Sequence, residues 1–149
     1  MKNINIDPSC PFCAIVDHKD QNVREVWRNE HTVAFFPTEP ATLGHTLLIP
    51  RRHVPDIWSL PGELAARLGE ASVNLASAIK QALAPEGLNV IQSNGHVATQ
   101  TVGHLHVHLV PRWTGDAIGP IWPPETSYGK REKDNVWRRL KTAARACMR

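Results

Sequence analysis

The stretch VGHLHVHLVPR, from Val102 to Arg112, places three histidines at every second position. Alternate side chains of a strand point to opposite faces, so a strand would put His104, His106 and His108 on one face. In a helix, His106 would point away from the other two. The spacing therefore predicts a strand with an imidazole face and an apolar face, and the apolar face suits packing against a helix. The apolar face is formed by Leu105, Val107 and Leu109.

Three interpretations suit the imidazole face. Same-face neighbours on a strand lie roughly 6.5–7 Å apart, so three rings can line one small site. The rings could ligate zinc at an open hydrolytic site, or one could act as a nucleophile that its neighbours orient. They could also form a solvent-facing row. A nucleophilic imidazole needs one free ring nitrogen, so the other should donate to a backbone carbonyl. Periodicity alone leaves metal and nucleophile open.

Length and composition predict one globular domain spanning 1–149. With 149 residues, 42% of them hydrophobic, the chain is long enough to bury a core. No apolar run approaches the roughly 20 residues of a membrane helix. The first ten residues show no apolar signal core. We expect a cytoplasmic protein with no membrane partner.

The charge distribution indicates which partners to expect, and the cysteine count indicates whether disulfides or a metal site should be expected. From Glu125 onward there are eight Lys or Arg and three acidic residues. A solvated helix face explains this basic tail more simply than nucleic-acid binding, which we do not expect. The three cysteines argue against a disulfide framework, and leave Cys10 and Cys13 in CPFC as a metal or redox pair.

Apolar periodicity and turn residues predict an α+β fold. Strands are expected at about 23–27, 31–36, 45–49 and 88–93, and the histidine strand is expected to end at Pro111. One long helix lies between Pro61 and Pro85. Short connections between the early strands favour an antiparallel β-sheet of about five strands with this helix packed on it. The helix stripe consists of Leu64, Leu68, Ala71, Leu75, Ile79 and Ala82.

A C-terminal helix is expected to follow an irregular, Pro- and Gly-rich segment at 112–132. Asp134 can cap this helix, since Asp side chains accept from free N–H groups at helix starts. The expected apolar stripe consists of Val136, Leu140, Ala143 and Cys147.

The histidines and their flanking blocks resemble the histidine triad superfamily. The sequence from His104 to Val110 resembles its signature, His-x-His-x-His followed by two apolar residues. GHTLLIPRRH (44–53), NGHVATQTV (94–102) and CPFC (10–13) resemble further family blocks, in the expected order. The resemblance runs from about Cys10 to Arg112, which implies a core at about 10–112 and an extension with a helix at 113–149. The resemblance implies a HIT-like fold and cleavage at the α-phosphate of a nucleoside phosphate derivative through a nucleotidyl-histidine intermediate. It also implies a homodimer in which two five-stranded sheets join into one of ten strands.

The resemblance assigns roles to individual residues. His106 matches the nucleophile, His108 a phosphate contact, and His104 a residue that orders the nucleophile or binds metal. Gln100 and Thr101 match positions that hold the phosphate and the leaving group. Phe12, Ile15 and Phe35 match a base pocket, although ordinary core packing explains each of them equally well. Ser93 stands where relatives carry a longer Asn or Gln.

The residues that match the family specify the type of reaction more narrowly than they specify the substrate. Relatives carry Asp or Asn at the position of Pro37 to hold the ribose, and proline offers neither a side-chain acceptor nor a backbone donor. Glu39 is a possible substitute. The ending HLVPR, with Arg112, resembles the branch that handles dinucleoside polyphosphates. Nucleoside phosphoramidates remain an alternative substrate, and a nucleotide-binding regulatory module with little turnover remains an alternative function.

CPFC has the spacing of half a tetrahedral zinc site. The resemblance to zinc-bearing members, and to galactose-1-phosphate uridylyltransferases, adds His53 and His104 as ligands. Four protein ligands would make this a structural zinc, and no organic cofactor is expected. The rivals are a thioredoxin-like redox pair, disfavoured because no βαβ pattern surrounds it, and plain packing. His45 is expected to support the sheet edge or the site.

Overall fold

The computed structural model describes residues 5–148. They divide into two compact units, and the boundary along the chain falls between Gly119 and Pro120. The predicted core of 10–112 lies within the first unit. That unit contains α1 (Pro11–Val16), β1 (Arg24–Arg28), β2 (Thr32–Phe36), β3 (Thr46–Pro50), α2 (Gly62–Leu83), β4 (Gly87–Gln92) and β5 (Val107–Arg112). The second unit contains α3 (Lys130–Cys147).

The first unit is built on a five-stranded sheet in the order β1-β2-β3-β5-β4. All neighbouring strands are antiparallel, which confirms the predicted α+β class. β5 lies between β3 and β4, and His108 is paired with Leu47 on one side and Ile91 on the other. The last triad histidine is therefore held by ladders on both flanks.

The apolar face of the histidine stretch packs under α2, as its alternation predicts. Leu105, Val107 and Leu109 lie in one buried cluster with the α2 residues Leu68, Ala71, Leu75 and Ile79. Full burial of one such aliphatic side chain contributes about 1.5–3 kcal/mol. The prediction that Ala82 extends this stripe is wrong, because Ala82 is exposed. Leu83 instead lies against Gly44, whose φ of +92° and lack of a Cβ admit it.

The opposite face of the sheet carries α1, a short helix that the sequence patterns did not predict. Cys10 caps its N-terminus and Pro11 opens its first turn. Arg28 on β1 donates to the carbonyl oxygens of Ile15 and Val16 at 2.9 and 2.7 Å. These bonds supply donors to carbonyls in the last turn of α1 and hold the helix on the face that carries the histidines. A second buried cluster contains Ile15, Val16, Val33, Phe35, Leu47 and Ile49.

The predicted strand over 105–110, ended by Pro111, is wrong in both bounds, because β5 runs from Val107 to Arg112. β5 begins at Val107 because pairing with β3 stops there, and the Leu105 N–H donates to Val54 O at 2.7 Å instead. Pro111 lies inside β5, opposite Leu88 of β4. The pairing with β3 does not reach Pro111, so its missing N–H removes no bond on that side.

In the second unit, α3 begins at Lys130, so the irregular segment ends earlier than predicted. Its N-cap is Gly129, whose N–H donates to Glu132 Oε2 at 2.8 Å. The prediction that Asp134 caps this helix is wrong. Asp134 lies inside the helix and pairs with Lys130 at 2.7 Å, one turn earlier. Within residues 5–148, no helix has the length and apolar character needed to cross a bilayer.

Candidate active site and metal centre

Cys10, Cys13, His53 and His104 come together in space, as the resemblance implied. Their ligand atoms all lie within 4.8 Å of one another. His104 Nδ1 lies 3.5 Å from Cys10 Sγ and 3.6 Å from Cys13 Sγ. His53 Nδ1 lies 3.3 Å from Cys13 Sγ. Ordinary Zn–S and Zn–N bond lengths place tetrahedral ligands roughly 3.6 Å apart, so the four atoms fit a zinc ion.

His104 is oriented for this cluster by its other ring nitrogen. Its Nε2 lies 2.8 Å from the carbonyl oxygen of Pro50. A carbonyl only accepts, so Nε2 carries the proton and Nδ1 presents a lone pair to the cysteines. The side chain is fully buried, and burial lowers its pKa to about 4, which keeps the ring neutral at pH 7. A neutral imidazole is the form that binds metal.

His106 faces away from this cluster with the opposite nitrogen free. Its Nδ1 lies 2.7 Å from the backbone oxygen of His104, which is the contact expected of a nucleophilic imidazole. Nδ1 is therefore the protonated nitrogen, and Nε2 carries a lone pair. Burial lowers the pKa of His106, and this favours the neutral ring. Phe12 packs edge-on against it, with ring centroids 5.2 Å apart.

His108 is held in the complementary tautomer by His45. The Ala41 N–H donates to His45 Nδ1 at 3.0 Å, so a neutral His45 carries its proton on Nε2. That Nε2 lies 2.9 Å from His108 Nδ1 and donates to it. Burial lowers the pKa of His45, and it lowers that of His108 to about 4, so both rings are neutral at pH 7. His108 therefore presents an N–H at Nε2.

The two histidines thus offer a lone pair and a donor side by side. The ring centroids of His106 and His108 lie 4.9 Å apart. One neutral ring can attack an electrophile while the other donates to an oxygen on it. This arrangement does not suit a shared metal, because His108 carries its proton on Nε2 and accepts a hydrogen bond at Nδ1, so it has no free lone pair to offer.

The segment between β4 and β5 holds the predicted phosphate and leaving-group positions. Gln100 uses both amide hydrogens on backbone oxygens, at 2.7 Å on Pro55 and 3.0 Å on Val102. Its Oε1 accepts from the Gly95 N–H at 2.8 Å. The side chain therefore braces the loop that presents Thr101, which is exposed. Ser93 lies partly buried at the start of this segment.

The predicted base-pocket residues differ in exposure. Ile15 and Phe35 are 6% and 2% exposed and belong to the buried cluster under α1. Phe12 is partly exposed, and its ring contacts the rings of both Phe35 and His106. Pro37 is partly buried just beyond β2, and Glu39 is exposed. A separate groove of about 420 Å³ between β1 and α2 lies on the other face of the sheet.

Arg112 is not available as a polyphosphate ligand in this structure. Its guanidinium forms a bidentate pair with Asp116, at 2.6 and 2.9 Å. It also donates to Asn89 Oδ1 and to the carbonyl of Gly119. These contacts hold Arg112 against residues 116–119 and β4, and the resemblance of HLVPR to the dinucleoside polyphosphate branch stays a prediction.

Sequence reasoning did not find Asp7 and left His45 without a definite role. Asp7 lies beside the cysteine–histidine cluster. A single acid near a terminus carries no pattern that distinguishes it from a surface residue. His45 could have been found from the strand register, because Thr46 pairs with Leu109 and so brings His45 to the end of the histidine strand.

The fold and the site together define the class of protein: a five-stranded antiparallel sheet carries two adjacent neutral imidazoles beside a cysteine–histidine cluster. Residues 18–115 match the HIT domain family model, and the chain belongs to the HIT family. It is 37% identical over 115 residues to Protein hit of Bacillus subtilis, covering 76% of this chain and 79% of the relative. It is 33% identical over 116 residues to adenosine 5'-monophosphoramidase hnt1 of Schizosaccharomyces pombe, covering 77% and 84%.

Solved structures share the fold over most of both chains. A HIT family protein from Bacillus anthracis superposes with a TM-score of 0.81 at 34% identity, covering 91% of this chain and 97% of that one. A Zn-bound histidine triad family protein from Mycobacterium smegmatis gives a TM-score of 0.70 at 31% identity, covering 91% and 97%.

Proposed function

We propose that the protein is a nucleotide hydrolase that cleaves nucleoside 5'-phosphoramidates at the α-phosphate through a nucleotidyl-His106 intermediate. The observation that carries the proposal is the pairing of a free Nε2 on His106 with an N–H on His108, each fixed by its own hydrogen bond. The family membership and the fission yeast phosphoramidase relative support it.

In the first step, His106 Nε2 attacks phosphorus and the bond to the leaving nitrogen breaks. His108 donates to a non-bridging oxygen, where negative charge grows. The leaving amine takes up a proton, for which the exposed Thr101 hydroxyl is the proposed donor. In the second step, water attacks the phosphorus and the bond to His106 breaks. The attacking water loses a proton, which returns to the Thr101 oxygen. The sum is phosphoramidate plus water giving amine plus nucleoside monophosphate.

Phosphoramidates become the preferred substrate because Arg112 is engaged by Asp116, Asn89 and Gly119. The resemblance of HLVPR favoured dinucleoside polyphosphates, but the fission yeast relative is an adenosine 5'-monophosphoramidase, and Arg112 is held by other partners. Comparing kcat/KM for an adenosine 5'-phosphoramidate and for a diadenosine polyphosphate tests the order. We expect the phosphoramidate to be the better substrate, and the reverse order contradicts the proposal.

A nucleotide-binding module with little turnover is the second candidate. Pro37 favours it, because a proline at that position offers no side-chain acceptor for a ribose. Incubation with an adenosine 5'-phosphoramidate, acid-free quenching and mass spectrometry separate the two. We expect an adenylyl adduct on His106 in the wild type and none in His106→Gly. Binding without an adduct or turnover supports the module. Turnover that stops on chelation without an adduct supports metal catalysis.

We propose further that Cys10, Cys13, His53 and His104 hold a structural zinc. Burial raises the pKa of the Cys13 thiol to about 11, and zinc would supply the positive charge that favours the thiolate. With four protein ligands the ion has no open position for substrate. The Zn-bound mycobacterial structure supports the assignment by similarity. Elemental analysis of the purified protein tests it, and the expected content is one zinc per chain.

A homodimer through β4 is proposed as the assembled form. Both β1 and β4 are sheet edges, but β1 carries charged residues and a register shift between Glu25 and Trp27, which discourage pairing. β4 carries no charged side chain, and its Val90 is 55% exposed. Light scattering should give a dimer for the wild type and a monomer for Val90→Asp. The matched variant Val26→Asp on β1 should remain a dimer.

A further inference from the structure

Asp7 contacts the metal-binding residues from outside in two ways. Its backbone N–H donates to Cys13 Sγ at 3.3 Å. Its Oδ2 lies 4.0 Å from His53 Nε2, on the side of the ring opposite the proposed ligand atom Nδ1. We infer that Asp7 is a positioning residue of the metal centre, which orients His53 and stabilises the Cys13 thiolate. This inference rests on the proposed zinc site.

Each histidine ligand has an oxygen acceptor on its outward side, in hydrogen-bond contact for His104 and at 4.0 Å for His53. His104 places its outward Nε2 on the Pro50 carbonyl at 2.8 Å, deep in the core. His53 is the one ligand of the four that is only partly buried, and the acceptor that faces its outward nitrogen is a carboxylate. Metal-bound histidines almost always donate their second N–H to a carboxylate, a carbonyl or water, and this contact raises ligand basicity.

The carboxylate of Asp7 is itself fixed, so it does not need to be ordered when metal binds. Oδ1 accepts from the backbone N–H and the hydroxyl of Ser9, at 2.9 and 2.7 Å. This leaves Oδ2 facing His53. The same segment holds the backbone of His53, whose N–H donates to Asn5 O at 2.8 Å. Residues 5–9 therefore form an outer layer on the exposed side of the metal ligands.

Zinc affinity of the full chain, measured by competition with a chromophoric chelator, tests the inference. Asp7→Asn keeps the backbone N–H but removes the charged acceptor, and loss of such an outer contact weakens metal binding by about 10–100-fold. Asp20→Asn is the matched control. Asp20 Oδ1 also accepts from the N–H two residues later, at 2.9 Å, but within residues 5–148 Asp20 forms no hydrogen bond or ion pair with the four proposed ligands.

A second measurement separates positioning from a general effect on folding. The thermal midpoint of Asp7→Asn should fall below that of the wild type in zinc and match it in excess EDTA. An Asp7→Asn variant that binds zinc within twofold of the wild type overturns the role of Asp7 and leaves the metal site intact. A wild-type protein that binds no zinc overturns both. An equal loss of stability in EDTA assigns Asp7 to folding, and also overturns the inference.

Discussion

His104 and His108 lie four residues apart and on the same side of the sheet, yet they have different surroundings. His104 is fully buried among two cysteines and a second histidine, with its outward nitrogen on the Pro50 carbonyl. His108 is partly exposed and held by His45 so that its outward nitrogen carries a proton. Both rings are neutral at pH 7, because burial lowers each pKa to about 4. Charge therefore does not distinguish them.

The hydrogen-bond partner of each ring decides which nitrogen is free, and this decides what each histidine can do. A carbonyl on Nε2 leaves His104 with a lone pair on Nδ1, directed at the cysteines. A carbonyl on Nδ1 leaves His106 with a lone pair on Nε2. A donor on Nδ1 leaves His108 with an N–H on Nε2. Three identical residues are thus suited to three different roles, which we propose to be a metal ligand, a nucleophile and a hydrogen-bond donor.

The largest effect is expected from His106→Gly, which removes the proposed nucleophile. We expect kcat/KM to fall by at least about a thousandfold, because binding and charge stabilisation alone recover little of the rate. His31→Gly is the matched control and should retain activity within about twofold. An active His106→Gly variant would show that another group attacks phosphorus.

On the His104 side of the comparison, Cys13→Ser should break the proposed metal centre. We expect loss of bound zinc and a loss of about 2–5 kcal/mol in the free energy of unfolding, since metal binding energy contributes to folding. Elemental analysis and urea denaturation measure the two. Cys147→Ser, which changes an exposed thiol of α3, should alter neither. If Cys13→Ser keeps its zinc, the ligand assignment is wrong.

The alternation of histidine and apolar residues was enough to predict the two faces of the stretch, because side-chain direction in extended chain depends only on local geometry. Its hydrogen-bond partners were not predictable in this way. Pro50, Ala41 and His45 reach the triad through strand pairing and turns far away in sequence. The end of β5 depends on strand pairing in the same way. A proline is tolerated in a strand where the neighbouring strand has already ended, and the sequence around Pro111 does not show where β3 ends.

A smaller loss of activity is expected from His45→Phe, which sharpens the distinction between His106 and His108. The substitution removes the donor that fixes the proton of His108 on Nε2, while the ligands of the metal centre are untouched. We expect kcat to fall about tenfold to a hundredfold. This is no more than the fall in kcat caused by removing one oxyanion donor, since His108 itself is still present. The zinc content should change little. Nitrogen-15 chemical shifts of His108 report its tautomer and should show a mixture. If His108 keeps a single, unchanged tautomer, His45 does not fix the position of its proton.

The smallest effect on catalysis is expected at Arg112, where the histidine stretch ends. The hydrogen bonds from Arg112 hold the pKa of the Asp116 carboxyl well below its usual range of about 3.8. A carboxyl whose pKa is lower in the folded chain stabilises the fold fully above the unfolded value, and this contribution is lost as pH falls through the folded pKa. Asp116→Asn should therefore lower the unfolding midpoint at pH 7 and lose less stability than the wild type between pH 4 and pH 2. Its kcat/KM for a phosphoramidate should stay within about twofold, because the pair ties β5 to residues 116–119 and touches neither His106 nor His108. A large rise in KM would instead place Arg112 at the substrate.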